Sequence, residues 1–242
     1  MTKPILLGML TPSSNTSLEP LTSAMVSGLP GVSAHFSRFT VTEISLEQKA
    51  LGQFDDTKIL EAAKLLADAR VDVIGWSGTA ASWLGFDADE KLCQRITEAT
   101  GIPATTSVLA LNEILERSGV QTLGLISPYL KSVQDKIIEN YGRSGIRIEA
   151  ERHLDLQVNY SFAEVTEAQI LEMARDVATQ RPDAMTVMCT NLKGAQLAAR
   201  IEAETGIPLY DSVATVVWKS LLMAGYDVRK LEGWGQLFQR FA

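Results

Sequence analysis

Two cysteines and two histidines are the side chains in this sequence best suited to nucleophilic or proton-transfer chemistry near neutral pH. Cys189 stands in Met188-Cys189-Thr190-Asn191, at the end of an apolar run led by Arg181 and Asp183. A thiol between a buried strand and a helix start lies near backbone N–H groups that favour its thiolate, so it can act as acid, base or nucleophile. A packed core cysteine is the plainer alternative, and the position of Cys189 weighs against it. Cys93 falls mid-helix between Leu92 and Ile96 and reads as core. His35 lies in a strand and His153 in a polar loop, neither with a serine or cysteine partner in sequence, so neither is read as catalytic.

A second run matches the first. Arg70 meets Arg181, Asp72 meets Asp183, Gly78 meets Cys189 and Thr79 meets Thr190. One position therefore carries a thiol and its counterpart, Gly78, carries no side chain. Two further polar loops end apolar runs, Thr11-Pro12-Ser13-Ser14-Asn15 and Ser127-Pro128-Tyr129. Thr16 and Glu19 have capping-box spacing, which predicts a helix from there to about residue 28. Ser13, Ser14 and Asn15 would then face an anion with free backbone N–H groups and the positive end of a helix dipole; ordinary loop and capping duty is the alternative. Tyr129 reads either as a phenol donor to a substrate oxygen or as a half-buried ring. Asn159 is a turn residue unless its amide faces the same ligand.

The elements that position these residues follow from periodicity. Apolar runs over 4–10, 71–76, 122–126 and 183–188 have the continuous pattern of buried parallel strands, and 32–39 alternates. Shorter strands are expected at 102–105, 146–150 and after Gly206. Helices are expected over 57–69 capped by Asp56, 87–100, 108–118 capped by Ser107, from Tyr129 to about 141, and from a Thr166/Gln169 capping box to about 179. Two more are expected, from Asn191 to about 205 and from Asp211 or Ser212 to about 224. The tail, with Trp234 and Phe238, is expected to pack back on the fold. Segments 40–53 and 151–162 are polar and irregular, and each is a candidate flap.

The two halves repeat. Gly8-Met9-Leu10-Thr11-Pro12 parallels Gly124-Leu125-Ile126-Ser127-Pro128, and Ile96–Pro103 parallels Ile201–Pro208. Three ordered matches, at offsets of 116, 111 and 105, indicate duplication, with a period too long for a solenoid. The fold class expected is α/β: two pseudo-twofold-related lobes, each a mainly parallel sheet flanked by helices, with the active site between them. The division expected is 1–107 plus 213–242 for one lobe and 108–212 for the other.

Composition excludes several classes. A net charge of −7 with no basic run argues against nucleic acid as a partner. Two cysteines make neither a disulfide framework nor a metal cluster. No apolar stretch approaches the roughly 18–20 residues of a membrane span. No signal-peptide layout opens the chain, so a soluble cytoplasmic protein is the default. Ser77-Gly78-Thr79-Ala80-Ala81-Ser82 lacks a P-loop ending and no Rossmann fingerprint follows Leu10, so no nucleotide cofactor is expected. Homo-oligomerisation is left open.

Thr11-Pro12-Ser13-Ser14-Asn15-Thr16, Thr97–Thr106, Ser127-Pro128-Tyr129 and Cys189-Thr190-Asn191 together resemble the aspartate/glutamate racemase superfamily, within it the branch of arylmalonate decarboxylase and maleate cis-trans isomerase. The resemblance covers nearly the whole chain. It implies two pseudo-symmetric α/β lobes and cofactor-free chemistry at carbons next to carboxylates, hence a small carboxylic or dicarboxylic acid as substrate. Two-cysteine members place a thiol on each side of the substrate. This chain is similar to the decarboxylase in having a glycine at the first position, Gly78, followed by Thr79, but it has Ala80 where the decarboxylase has a serine. Asn15, Tyr129 and Asn159 match isomerase positions. The resemblance thus implies substrate contacts at Pro12, Ser13, Ser14, Asn15, Gly78, Thr79, Ala80, Tyr129, Asn159, Thr190 and Asn191, with Cys189 catalytic.

Two-sided proton transfer needs an acid and a base on opposite faces, and Gly78 supplies neither. Decarboxylation needs an apolar pocket, donors for an enediolate and one acid. The expected reaction is therefore decarboxylation of a malonate-type acid, with N–H groups and hydroxyls at Ser14, Thr79, Tyr129 and Thr190 as donors and Cys189 as proton source. Isomerisation or racemisation of a small dicarboxylate, and a cleft that binds carboxylates without turnover, are the alternatives.

Overall fold

A computed structural model describes residues 3–54 and 56–241. The first half runs β1 (Ile5–Pro12), α1 (Leu18–Ser27), β2 (Val32–Phe39), α2 (Gln48–Leu51), α3 (Asp56–Asp68), β3 (Val73–Trp76), α4 (Ala81–Leu84), α5 (Phe86–Thr100), β4 (Ala104–Thr106) and α6 (Ser107–Ser118). The second half runs β5 (Thr122–Ile126), α7 (Lys131–Arg143), β6 (Arg147–Arg152), α8 (Asn159–Phe162), α9 (Glu167–Ala178), β7 (Ala184–Val187), α10 (Ala198–Thr205), β8 (Leu209–Asp211), α11 (Ser212–Met223) and α12 (Leu237–Arg240). Each half builds one four-stranded parallel sheet, in the same strand order: β2-β1-β3-β4 and β6-β5-β7-β8.

The duplication extends to single atoms. Arg70 and Arg181 both enter their strands in the left-handed region, at φ 53° and 52°. The Asp72 carboxylate accepts from Leu6 N–H at 2.8 Å, and the Asp183 carboxylate accepts from Thr122 N–H at 2.8 Å. Gly8 and Gly124 do the same work: a Cβ on either would fall 2.8 Å from Val71 or 2.4 Å from Val177. Glycine lets Val71, just after α3, and Val177, in the last turn of α9, pack so close to the first strand of their lobes.

Strand order locates the site. In each sheet the first strand is flanked by the second on one side and the third on the other, so the connections diverge between β1 and β3 and between β5 and β7. Ligands of open parallel sheets bind beyond the carboxyl ends of strands at such switch points. The four loops found there are 13–17, 77–80, 127–130 and 188–194.

Several local expectations are corrected. Helix α1 begins at Leu18, and Ser17 at its N-cap makes no side-chain cap bond; the first turn is held by Asn15 Oδ1, which accepts from Ser17 and Leu18 N–H at 3.0 and 2.9 Å. Glu19, free of a capping box, pairs with Arg38 at 2.8 Å. The cap of α6 is Thr106, not Ser107, because its hydroxyl can reach Leu109 N–H at 3.0 Å. No helix follows Asn191 directly: the chain turns at 190–192, a 3-10 turn forms over Ala195–Leu197, and α10 continues it from Ala198. The Thr166/Gln169 capping box and the Asp211 cap form as the spacing predicts. The Asp56 side chain lies outside the described residues.

Helix α11 is mostly apolar and buries nine of its twelve residues, as suits a helix packed between layers. It returns to the first sheet, with Val216 against Gly75 of β3 and Thr215 Oγ1 donating to Ser107 O at 3.0 Å. This packing supports the division at 107/108 and 212/213, which we propose as the lobe boundary. The tail folds back: Phe238 is buried, and Trp218 Nε1 donates to Phe241 O at 2.8 Å. No helix among the described residues is long and apolar enough to cross a membrane.

Asp89 of α5 lies buried against Thr106, and one of its oxygens lacks a partner. Burial pushes its carboxyl up to about 7, and the Thr106 hydroxyl only partly offsets this. From its ordinary 3.8 up to about 7, the unfolded chain ionises this group while the folded chain holds its proton. Stability from this group therefore falls as pH rises through that window, and the full penalty stands above it. Asp89→Asn is expected to raise stability at pH 8 by up to about 4 kcal/mol, and by progressively less towards pH 4. Urea denaturation at several pH values reads this directly.

Candidate active site

Bonds between the lobes bring the four loops together. Asn191 Oδ1 accepts from Thr16 and Ser17 N–H at 3.0 and 3.2 Å, and its Nδ2 donates to Asn159 O at 2.6 Å. Asn15 Nδ2 donates to Thr190 Oγ1 at 3.1 Å, and Thr190 Oγ1 donates onward to Ser77 O at 3.2 Å. Thr79 Oγ1 and Tyr129 OH lie 2.6 Å apart. These contacts join residues up to 175 positions apart, and the groups are buried or nearly so.

They enclose a cavity of about 20 Å3, lined by Pro12, Gly78, Thr79, Ala80, Tyr129, Asn159, Cys189 and Thr190 from the expected set, with Val41, Ile44, Phe54, Trp76 and Trp83 completing the wall. That is room for about one water. Larger grooves lie on the surface, one of about 540 Å3 beside Arg175 and Glu204, but no thiol faces it. The small cavity between the four loops, which a thiol does line, is therefore the candidate site.

The flaps account for its closure. Ile44 N–H donates to Gln157 O at 2.9 Å, Asn159 N–H donates to Thr42 O at 3.0 Å, and Glu43 bridges antiparallel to Val158. The two irregular segments, equivalent in the repeat, pair with each other over the site. With this pairing in place the cavity has no room for a molecule much larger than water.

Ser13, Ser14, Asn15 and Asn191 do not line the cavity. Their polar groups are spent on structure. Ser13 and Ser14 hydroxyls donate to Val41 O at 3.3 and 2.6 Å, and Ser14 Oγ accepts from Asn159 Nδ2 at 2.8 Å. The N–H groups of residues 15–18 are taken by Pro12 O, Asn191 Oδ1 and Asn15 Oδ1. The expected anion cradle at the start of α1 is thus mostly occupied by protein; Ser14 N–H has no partner, but Ser14 does not line the cavity. Among the described residues the N–H groups of Gly78, Thr79, Ala80 and Thr190 also have no partner, and all four residues line the cavity.

Cys189 is 2% exposed. Burial pushes its thiol up to about 12, partly countered by the N–H groups of Asn191 (3.4 Å from Sγ) and Leu192 and by the Tyr129 hydroxyl. This corrects the expectation of a helix N-terminus favouring the thiolate, since no helix starts there. Tyr129 is raised well above the ordinary phenol range, first by burial and then by Cys189. Both groups are neutral at pH 7. Cys93 sits on α5 outside the cavity, with its thiol pushed up to about 12 by burial. His35 Nε2 does meet a serine hydroxyl, Ser33 at 3.0 Å, and His153 Nδ1 meets Glu151 at 2.8 Å, but neither lines the cavity.

Trp76 and Trp83 are the lining residues that sequence reasoning passed over. Trp83 packs edge-on against Tyr129, centroids 5.2 Å apart, and Phe54 against Trp83 at 6.0 Å. The spacing of Trp76 two residues before Gly78, on the same side of an extended chain, was the available signal for the first.

A buried thiol and free N–H donors thus lie between a duplicated pair of parallel sheets. A family model described as arylmalonate decarboxylase matches residues 7–238, and the chain belongs to that family. It is 25% identical over 235 residues to a maleate isomerase of Geobacillus stearothermophilus, covering 91% of this chain and 92% of that one. It is 23% identical over 183 residues to an arylmalonate decarboxylase of Bordetella bronchiseptica, covering 74% and 76%. Among solved structures, a cysteine-to-serine mutant of Nocardia farcinica maleate cis-trans isomerase, with a covalently bound succinylcysteine intermediate, matches with a TM-score of 0.89 at 22% identity over 98% and 99% of the chains. The relatives thus include both a decarboxylase and isomerases.

Asn191→Ala removes the partners of Thr16 N–H and Asn159 O and leaves these two backbone groups unpaired at the lobe junction, while Ser17 N–H keeps its bond to Asn15 Oδ1. It is expected to cost roughly 2–4 kcal/mol in denaturant unfolding, well above the loss from an exposed asparagine.

Proposed function

We propose that this protein is a cofactor-independent decarboxylase of a malonate-type acid, with Cys189 as the proton donor. One observation carries the reading: the cavity holds a single thiol, kept protonated by burial, and the equivalent position is Gly78. A neutral thiol is an acid in place, whereas a nucleophile or base would have to ionise first.

The chain's groups divide the work. One carboxylate of the substrate takes the free N–H groups of Gly78, Thr79 and Ala80 and the hydroxyl pair of Thr79 and Tyr129. The other faces the apolar side of the cavity, formed by Val41, Ile44, Phe54 and Trp83, where a charged group is poorly solvated. Its loss as CO2 leaves the bonding electrons on the remaining carboxylate as an enediolate. Donors already aimed at that oxygen stabilise it, each by about 3–4 kcal/mol where fully engaged. The Cys189 thiol then gives its proton to the α-carbon, and the thiolate is reprotonated from solvent when the flaps part. Ser14, expected as a donor, instead ties Val41 to Asn159, and the Thr190 hydroxyl is committed to Ser77 O; Thr190 contributes its N–H.

A second reading has its own support. Asn15, Tyr129 and Asn159 each make side-chain bonds around the cavity, and a maleate cis-trans isomerase of the same fold carries a succinylcysteine adduct. Isomerisation here would require addition of Cys189 as thiolate.

The test is CO2 release from methylmalonate and phenylmalonate, beside conversion of maleate to fumarate. The expected outcome is CO2 release, reduced at least about 10³-fold in Cys189→Ala, with a rate that does not fall between pH 7 and 9 because the donor keeps its proton. Maleate turnover accelerating with pH would replace this reading with the isomerase. Thermal stabilisation by these acids without turnover would mean a binding cleft. Full activity in Cys189→Ala would remove Cys189 from the chemistry.

A further inference from the structure

The two half-sites differ at a second position. Trp76 ends β3 two residues before Gly78, and its counterpart in the repeat, two residues before Cys189, is Val187. Trp76 is 2% exposed and packs on Phe39, ring centroids 5.0 Å apart. A Cβ built on Gly78 would fall 2.0 Å from Trp76 Cζ2, 2.4 Å from Cε2 and 2.5 Å from Cη2. Real side chains do not approach so closely, so the benzo edge of the indole stands in the volume that any side chain at position 78 would need. The ring is the far end of its side chain, but it is buried against Phe39 and moves only if its surroundings repack.

We propose that Trp76 is the specificity-determining residue of this site, filling the position of a second-face acid or base. The inference rests on the proposed chemistry at an α-carbon for its meaning, and on geometry alone for the occupancy. An indole ring carries no group that gives or takes a proton near neutral pH, and its apolar face excludes water. An α-carbanion formed in this cavity therefore meets a proton source on the Cys189 side only. The loss of the thiol at position 78 and the presence of a large ring at 76 are one structural fact: a cysteine cannot return at 78 while Trp76 stays, whereas the residue two before Cys189 is the smaller Val187. One-sided delivery gives one hand of product, and the indole limits how large a substituent the α-carbon can carry on that side.

Two measurements test this. The first is a thermal double-mutant cycle of Gly78→Ala, Trp76→Val and the pair, with Trp76→Phe as the second partner, since it keeps a ring against Phe39. Gly78→Ala is expected to lower Tm by roughly 4–10 °C with Trp76 present, and by less than half of that with Val or Phe at position 76. A negligible effect of Gly78→Ala in the parent protein, or an equal effect in every background, would overturn the proposal. The second follows deuterium uptake at the α-carbon of 2-phenylpropionate in D2O, whose aryl group acidifies that carbon. Trp76→Val/Gly78→Cys and Trp76→Phe/Gly78→Cys are expected to exchange and racemise it at least about tenfold faster than Gly78→Cys alone. Equal rates in Gly78→Cys alone would overturn it. Absence of exchange in all three, with the thermal coupling intact, would support the occupancy by Trp76 and count against the proposed α-carbon chemistry.

Discussion

The Asn191 and Asn15 side chains hold the two switch points against each other, and the site exists because they do. Each amide serves both lobes. Asn191 ties the start of α1 to the backbone of Asn159, and Asn15 caps α1 while holding Thr190 beside Ser77. Neutral amides suit this place better than an ion pair. A buried charge pair costs several kcal/mol of desolvation per ion before any attraction is recovered, and its field would act on a thiol a few residues away. Amides satisfy buried N–H and C=O groups while adding no net charge, so the state of Cys189 is set by burial and by the donors near its sulfur.

The layout of two lobes was legible because duplication repeats both the apolar runs and the residues that enter them. Arg70 and Arg181, Asp72 and Asp183, and Gly8 and Gly124 have equivalent surroundings, so one half predicts the other. Loops at strand ends were legible for the same reason, and so was the gathering of Thr79, Tyr129, Asn159, Cys189 and Thr190. What failed depended on single competing bonds. Thr16 and Glu19 have capping-box spacing, but Asn15 reaches the same N–H groups and Arg38 takes Glu19. Asn191 looked like a helix start, but its amide is recruited across the lobe junction and the chain turns at 190–192 before Gly194, whose missing Cβ would lie 2.6 Å from Asp211. The spacing puts Trp76 on the same side of the chain as Gly78, but that its ring fills the space at position 78 depends on how the chain leaves β3.

Duplication supplies two equivalent positions around one substrate volume, and one-sided chemistry requires that they stop being equivalent. Here the departure involves two residues in each half: Cys189 with Val187, and Gly78 with Trp76. The missing side chain at Gly78 leaves the indole room, and the residue equivalent to Trp76, two before Cys189, is the smaller Val187. Changing one member alone either crowds the wall or opens a void, and both cost stability.

Burial of the acid follows from the same closure. With the flaps paired, the cavity holds about one water and the Cys189 thiol is pushed up to about 12. In this state Cys189 is a poor nucleophile and a dependable proton donor, because an α-carbanion is a far stronger base than the thiolate left behind. When Ile44 and Asn159 separate from Gln157 and Thr42, water reaches the sulfur and the desolvation that raises its pKa weakens. The pairing of two loops from opposite lobes thus does two things at once. In the proposed reaction it would dry the space in which a carboxylate loses its solvation and keep the proton on the thiol proposed to deliver it. A reaction that began from the thiolate would gain nothing from the first effect and be slowed by the second, and for that reason closure by paired flaps fits decarboxylation better than thiolate addition.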